Sequence, residues 1–396
     1  MQYAAGVVRM CEALLRDAAA SCAAAAQLHT DREWAAAADA ATAQKATSGL
    51  VTALGSLFSQ FAKAVASVAG HEVTGEPPHH PSALALAALA AGPGSDLQQQ
   101  LYSLLCSMVK LGRAPIAAGA PSSIANKSAE AREGLVRAAA HTAAALIVGD
   151  TGAEPQPDLA SSTGSQMATG SAVSKLPGVF ILGSCCMIWS YQLHNPVETV
   201  PQESDDPEAQ GLWSALEAIF GATADRSDAA DGQAKPHVAE HVLPPVKQWL
   251  QVSSTQEQLI AAGYAPQALP QQLQLVAAAL LAARENAGSS QPDADQSVDA
   301  AQQLQAAGRA LCAFAVPCLC NSPSCSNMSG LTELGLVSGR SCVCGGCRVA
   351  RYCGRACQRL VWKQHMPLCA ALAATAAATQ LMTASASAAA APAASP

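Results

Sequence analysis

Residues 344–369 read CGGCRVARYCGRACQRLVWKQHMPLC, a run in which five cysteines and one histidine stand among arginines. Working outward, CLCNSPSC at 318–325 adds three more cysteines and Cys342 a fourth, so nine of the chain's fifteen fall between 318 and 369. The N-terminal stretch carries Arg9, Glu12, Arg16 and Asp17 where a secretory signal would need an apolar run. Dense cysteine without a secretion signal predicts metal binding rather than disulfides. A disulfide knot would also strand His365, and no βαβ pattern surrounds CGGC to support a redox motif.

The spacing is Cys320-x4-Cys325-x18-Cys344-x2-Cys347-x5-Cys353-x3-Cys357-x7-His365-x3-Cys369. Zn(II) takes four soft or borderline donors tetrahedrally, so eight donors fill two closed sites. The glycines of CGGC leave a tight turn free for backbone N–H groups to approach sulfur. CQRLVWKQHM, from Cys357 to Met366, is expected to form a short helix that stops near Pro367. Cys357 and His365 are then separated by roughly 12 Å along the helix, too far to share one zinc. The two sites are therefore interleaved rather than consecutive.

Tyr352, Cys353, Cys357, Gln358, Trp362, His365 and Cys369 spell YC-x3-CQ-x3-W-x2-H-x3-C. This resembles the MYND-type zinc finger, and specifically chains of algal type that carry such a finger near the C-terminus. The resemblance implies that the first and third pairs (Cys320, Cys325, Cys353, Cys357) hold one Zn(II) and the second and fourth (Cys344, Cys347, His365, Cys369) the other. It implies two structural ions, and protein recognition of proline-rich motifs, often Pro-x-Leu-x-Pro, laid beside a small β-hairpin. Gln358 and Trp362 match the family's peptide-binding positions; Trp362 has an equal claim as an aromatic brace between the zinc sites. The opening pair departs from the usual spacing, x4 in place of x2. Cys318 in place of Cys320, or Cys342 in place of Cys344, remains an alternative.

The rest of the chain is half apolar, yet only 4% aromatic and 13% charged, with alanine supplying much of the apolar count. Alanine favours helix and buries little surface. The expected fold class is mainly α: an irregular alanine-rich helical array followed by a small cross-braced two-zinc finger. The expected organisation is an N-terminal helical region at 1–148, a linker at 149–177, a second helical region with loops at 178–316, the finger at 318–369 and a low-complexity tail at 370–396.

Apolar stripes at helical spacing support this: Leu50, Leu54, Leu57, Phe58, Phe61, Val65 and Val68; then Leu97, Leu101, Leu104, Leu105 and Met108; then shorter ones at 212–220, 273–281 and 304–314. Capping boxes are expected at Thr30/Glu33 and Ser254/Glu257. GVFILGSCCMIWSYQL at 178–193 is shorter than the roughly 20 residues of a membrane helix and is read as a buried helix, with Cys185 and Cys186 in the core.

Formal net charge is -7, while residues 318–369 carry +5 and leave -12 for the remainder. Seven thiolates and two Zn(II) reduce that local excess to about +2, so nucleic acid is an unlikely partner. HVAEH at 237–241 matches the HxxEH arrangement of some zinc peptidases, but prolines flank it closely and no third ligand stands out. His79 and His80 sit in a proline-rich segment. No phosphate-binding loop, nucleophile elbow or kinase set is present.

The reading is a non-enzymatic, zinc-dependent protein–protein interaction adaptor, in transcriptional or chaperone-type regulation, acting inside the cell in cytoplasm or nucleus and not on a membrane. One alternative is an enzyme carrying the finger as a docking appendage. MYND fingers occur in SET-domain methyltransferases, whose Asn-His-Ser-Cys motif is missing here, and in algal chains resembling phytol kinases, whose membrane helices are missing. The other alternative is a nucleic-acid-associated regulator.

Overall fold

The computed structural model describes residues 6, 8–10, 12, 13, 15, 16, Gly92, 94–113, 122–148, 170–194, 238–287 and 294–389. The stripe from Leu50 to Val68, the one at 212–220, the Thr30/Glu33 box, His79, His80 and His237 lie outside these residues. In chain order the helices are α1 (Asp96–Arg113), α2 (Ser122–Val148), α3 (Gly170–Ser174), α4 (Leu176–His194), α5 (Val238–Gln251), α6 (Ser253–Ala261), α7 (Leu269–Ala287), α8 (Ala294–Leu311), α9 (Glu333–Val337) and α10 (Arg355–Ala389). The fold is mainly α: among the described residues there is no strand, only bridges pairing Arg351 with Cys320 and with Val343.

α4 is the central element. It is apolar on all sides, which on a helix demands burial all round rather than one packed face. It packs most extensively on α8 and also on α2 and α1, while α7 bridges α8 and α5. By length and composition alone it could cross a membrane, but 78% of its apolar window is buried inside the protein. Cys185 and Cys186 are fully buried within it, among Phe180, Leu182 and Trp189. Burial of each such large side chain contributes up to about 3 kcal/mol.

The α4–α8 crossing requires glycine on both helices. A Cβ on Gly183 would lie 2.7 Å from Leu311 Cβ and 2.8 Å from the Gly308 carbonyl, and one on Gly308 would lie 2.7 Å from Met187 Cγ. These two residues set the closeness of approach.

Several local expectations are corrected. Within the expected linker, Gly170–Ser174 forms α3 and, after a turn at Lys175, Leu176 and Pro177 begin α4, with Pro177 in its first turn, where its missing N–H leaves no hydrogen bond unmade. α5 continues through Pro244 and Pro245, because Val242, Leu243, Val246, Trp249 and Leu250 all bury. Ser254 does not cap α6; the cap position is Val252, which makes no side-chain capping bond.

The largest correction concerns α10. Pro367 does not end it, and the helix runs on to Ala389, well into the expected low-complexity tail. Cys369 and Leu372, beyond the proline, are buried, and a Cβ on Gly263 in the α6–α7 turn would meet Thr375 Oγ1 at 2.8 Å. Tertiary packing past Pro367 thus offsets the roughly 3 kcal/mol that a helix-interior proline costs.

One apolar core joins body and finger. Leu101, Leu104, Phe180 and Leu311 belong to the same cluster as Leu319, Ala350, Tyr352, Val361, Cys369 and Leu372. The finger is packed into the helical body.

Candidate metal centre

Eight donors converge on two points. Cys320, Cys325, Cys353 and Cys357 form one group, and Cys344, Cys347, His365 and Cys369 the other; within each, all ligand atoms lie within 4.8 Å of one another. In the first, Cys353 Sγ is 3.6 Å from Cys325 Sγ and 3.5 Å from Cys357 Sγ. In the second, Cys344 Sγ is 3.7 Å from Cys369 Sγ, and Cys347 Sγ is 3.6 Å from His365 Nε2. A tetrahedral zinc with bonds of about 2.3 Å to sulfur and 2.0 Å to nitrogen sets sulfurs about 3.8 Å apart and sulfur about 3.5 Å from nitrogen. Donor type, number and spacing therefore fit two structural zinc ions. Every described cysteine is unpaired by disulfide.

Local sequence accounts for the geometry. The Arg348 N–H donates to the Cys344 carbonyl at 3.0 Å and the Cys344 N–H to the Ala350 carbonyl at 2.9 Å, closing the CGGC turn. Arg348 takes the left-handed φ of 57° that this turn needs. Gly346 cannot carry a side chain, since its Cβ would lie 2.5 Å from Cys369 Sγ. Burial opposes a thiolate at Cys344, but the backbone N–H groups of Cys347 and Gly346, together with the Cys369 and Cys347 thiols, outweigh it and hold that thiol below its ordinary value. The Cys320 thiol donating to Cys325, with help from Lys110 and the Asn327 N–H, pushes Cys325 down to about 5 despite burial. Burial lowers the pKa of His365, favouring the neutral ring that ligation uses.

Cys318 and Cys342 lie outside both groups. Cys318 is buried, with its thiol pushed up to about 12 by burial, and Cys342 Sγ donates to the Leu336 carbonyl at 3.7 Å. Trp362 is 41% exposed, and its ring centroid lies 6.0 Å from that of His365 while Tyr352 packs at 5.9 Å. It braces the second group and presents a face to solvent. Gln358 is half-buried beside it on α10.

Sequence reasoning missed the residues that seat the finger. Glu333, fully buried at the start of α9, accepts from Lys110 Nζ at 2.6 Å and Arg16 Nη2 at 2.5 Å on one oxygen, and from the Cys320 N–H at 3.0 Å on the other. Its own N–H donates to Glu12 Oε1 at 2.6 Å, and the Leu334 N–H donates to Ser103 Oγ at 3.1 Å. Burial opposes the Lys110 charge, but Cys106, Glu333 and Cys325 more than offset it and hold its pKa above the ordinary value. Burial raises the pKa of Glu12. Lys110 Nζ, Arg16 Nη1 and Arg113 Nη1 also donate to the carbonyls of Asn327, Ser329 and Pro323, fastening the loop that carries Cys325. The available signal was that Glu333 is the lone acid between 318 and 369. Asn321 is a second omission: its amide donates to the carbonyls of Val316, Leu319 and Arg351 and accepts from the Val316 N–H, holding the Cys320 knuckle.

Of the HVAEH motif, His241 is exposed on α5, and no third ligand gathers around it among the described residues. A cleft of 740 Å³ lies between body and finger, lined by Tyr102, Leu176, Tyr264, Cys318, Val349 and Arg351 among others. Burial raises the pKa of both Tyr102 and Tyr264.

No curated protein and no solved structure matches the chain. Residues 324–369 match the family model of the MYND finger, a span running from beside Cys325 to Cys369 and leaving Cys320 to be placed by geometry alone. The C-terminal module of this chain is therefore a MYND finger, a zinc-dependent protein-binding module and not in itself a catalytic one.

Proposed function

We propose that the chain is a non-enzymatic adaptor whose finger docks proline-rich peptides, in transcriptional or chaperone-type regulation, within the reducing interior of the cell. The observation that carries this reading is the pairing of two closed four-donor groups with an exposed Trp362 on the helix that supplies His365. A closed site has no open coordination position for substrate or water, so its metal supports shape. The shape supported includes Gln358 and Trp362 at i and i+4 on α10, where an extended peptide finds a flat aromatic face and an amide.

The cleft favours this reading over the enzyme alternative. Among the described residues its ionisable lining groups are Tyr102, Tyr264, Cys318 and Arg351; burial keeps the first three protonated at neutral pH, and an arginine is not a base. The test is capture of partners by the full chain and by Trp362→Ala, each confirmed to hold two zincs. Loss of proline-rich partners from the variant supports the reading. Retention of every partner removes Trp362 from the docking surface and sinks it.

A further inference from the structure

The solvent side of α10 carries a run of cations that no carboxylate among the described residues pairs with. At 3.6 residues per turn, Arg355, Arg359, Trp362, Lys363 and Met366 fall within about 100° of one another around the axis. The buried Val361, His365, Cys369 and Leu372 occupy the adjoining side, centred about 110° further round the axis. All five stripe residues are exposed, Met366 by 53%. Three cations at i, i+4 and i+8 repel one another. Arg355 is the first residue of α10 and Arg359 the fifth, at the end where the helix dipole favours anions and opposes cations.

The metal-bound thiolates offset this charge only in part, leaving the finger at about +2. The sequence has no Asp or Glu between 334 and 396, and among the described residues no carboxylate pairs with Arg355, Arg359 or Lys363. An arrangement that repels itself at the wrong end of a helix is relieved by an anion from outside. Trp362 and Met366, set among the cations, supply an aromatic and a soft apolar surface that a lone phosphate would not use.

We propose that this stripe docks an acidic peptide segment of another protein, with apolar or proline side chains over Trp362 and Met366 and carboxylates against Arg355, Arg359 and Lys363. The proposal rests on the docking reading above and names the partner's charge. A nucleic acid is the less fitting occupant: three cations on two helical turns cannot follow a phosphate backbone, and the thiolate-rich metal groups beside them are themselves net negative.

The experiment uses the zinc-loaded full chain and fluorescence anisotropy with three labelled probes: a proline- and leucine-containing peptide flanked by glutamates, the same peptide flanked by glutamines, and a single-stranded oligonucleotide. The glutamate peptide is expected to bind about tenfold tighter than the glutamine peptide, with the advantage shrinking as salt rises, as for exposed ion pairs. The triple replacement Arg355→Gln, Arg359→Gln, Lys363→Gln is expected to abolish that advantage while leaving the glutamine peptide's affinity unchanged. Trp362→Ala is expected to weaken both peptides. Equal binding of the two peptides overturns the proposal and leaves the docking reading standing. Binding of neither overturns both. An oligonucleotide that outcompetes the glutamate peptide, with a steep salt dependence, overturns the proposal in favour of nucleic acid.

Discussion

Lys110 on α1 and Glu333 on α9 meet at 2.6 Å, with side chains 3% and 0% exposed, and the same carboxylate receives the Cys320 N–H. The contact fastens the finger to the body and fixes one donor of the first metal group. Removing one partner of a buried pair leaves an uncompensated charge, at about 3–5 kcal/mol. Glu333→Ala should therefore lose stability of that order in urea unfolding and speed hydrogen exchange in residues 318–337. A loss below about 1 kcal/mol would show that the pair does not hold the interface.

Metal analysis of the purified chain should return two zincs. Chelation should then unsettle more than the finger, because Tyr352, Val361 and Leu372 share a core with α1, α4 and α8. Each structural zinc contributes of order 10 kcal/mol to a module of this kind. The expected outcome is faster exchange in α1 as well as in residues 342–372; an unaltered α1 would separate the two parts energetically.

Gly346→Ala should lose one zinc, since the new Cβ would occupy the space of Cys369 Sγ. Gly345→Ala is the control: a Cβ there meets nothing within 4 Å, and two zincs should remain. Equal zinc content in the two variants would contradict the tight turn.

Gly183→Ala forces α4 away from α8, with the Gly308 carbonyl and Leu311 Cβ in the path of the new methyl. Overpacking of this kind costs about 1–3 kcal/mol. The urea midpoint should fall with an unchanged slope, and a midpoint equal to the wild type would mean the helices separate freely.

His141 on α2 has its pKa pushed down to about 4 by burial, with Arg137 and His241 adding like charge. The unfolded chain then binds the proton more readily than the folded one, so stability is full above pH 6.5 and falls as pH drops toward 4. His141→Gln should flatten that part of the stability profile. An unchanged slope in the variant would assign the acid loss to other groups.

The metal module was legible because coordination chemistry writes itself into spacing: donor identity, donor count and the Cys357-to-His365 separation suffice to require two interleaved sites. The helices of the body were legible where apolar residues recur, as in the stripe from Leu97 to Met108, which lies buried on α1. Helix ends were not. Pro244, Pro245 and Pro367 are local stop signals, and each is overridden by burial of residues that follow it, a gain no local rule registers.

Sequence alone determined the chemistry of the finger and the helical class of the rest, since both depend on residue type and short-range period. Tertiary structure alone decided that the finger is built into the body. Glu12, Arg16, Lys110 and Glu333 are far apart along the chain, and single charged residues carry no pattern until folding buries them together and makes each depend on the others.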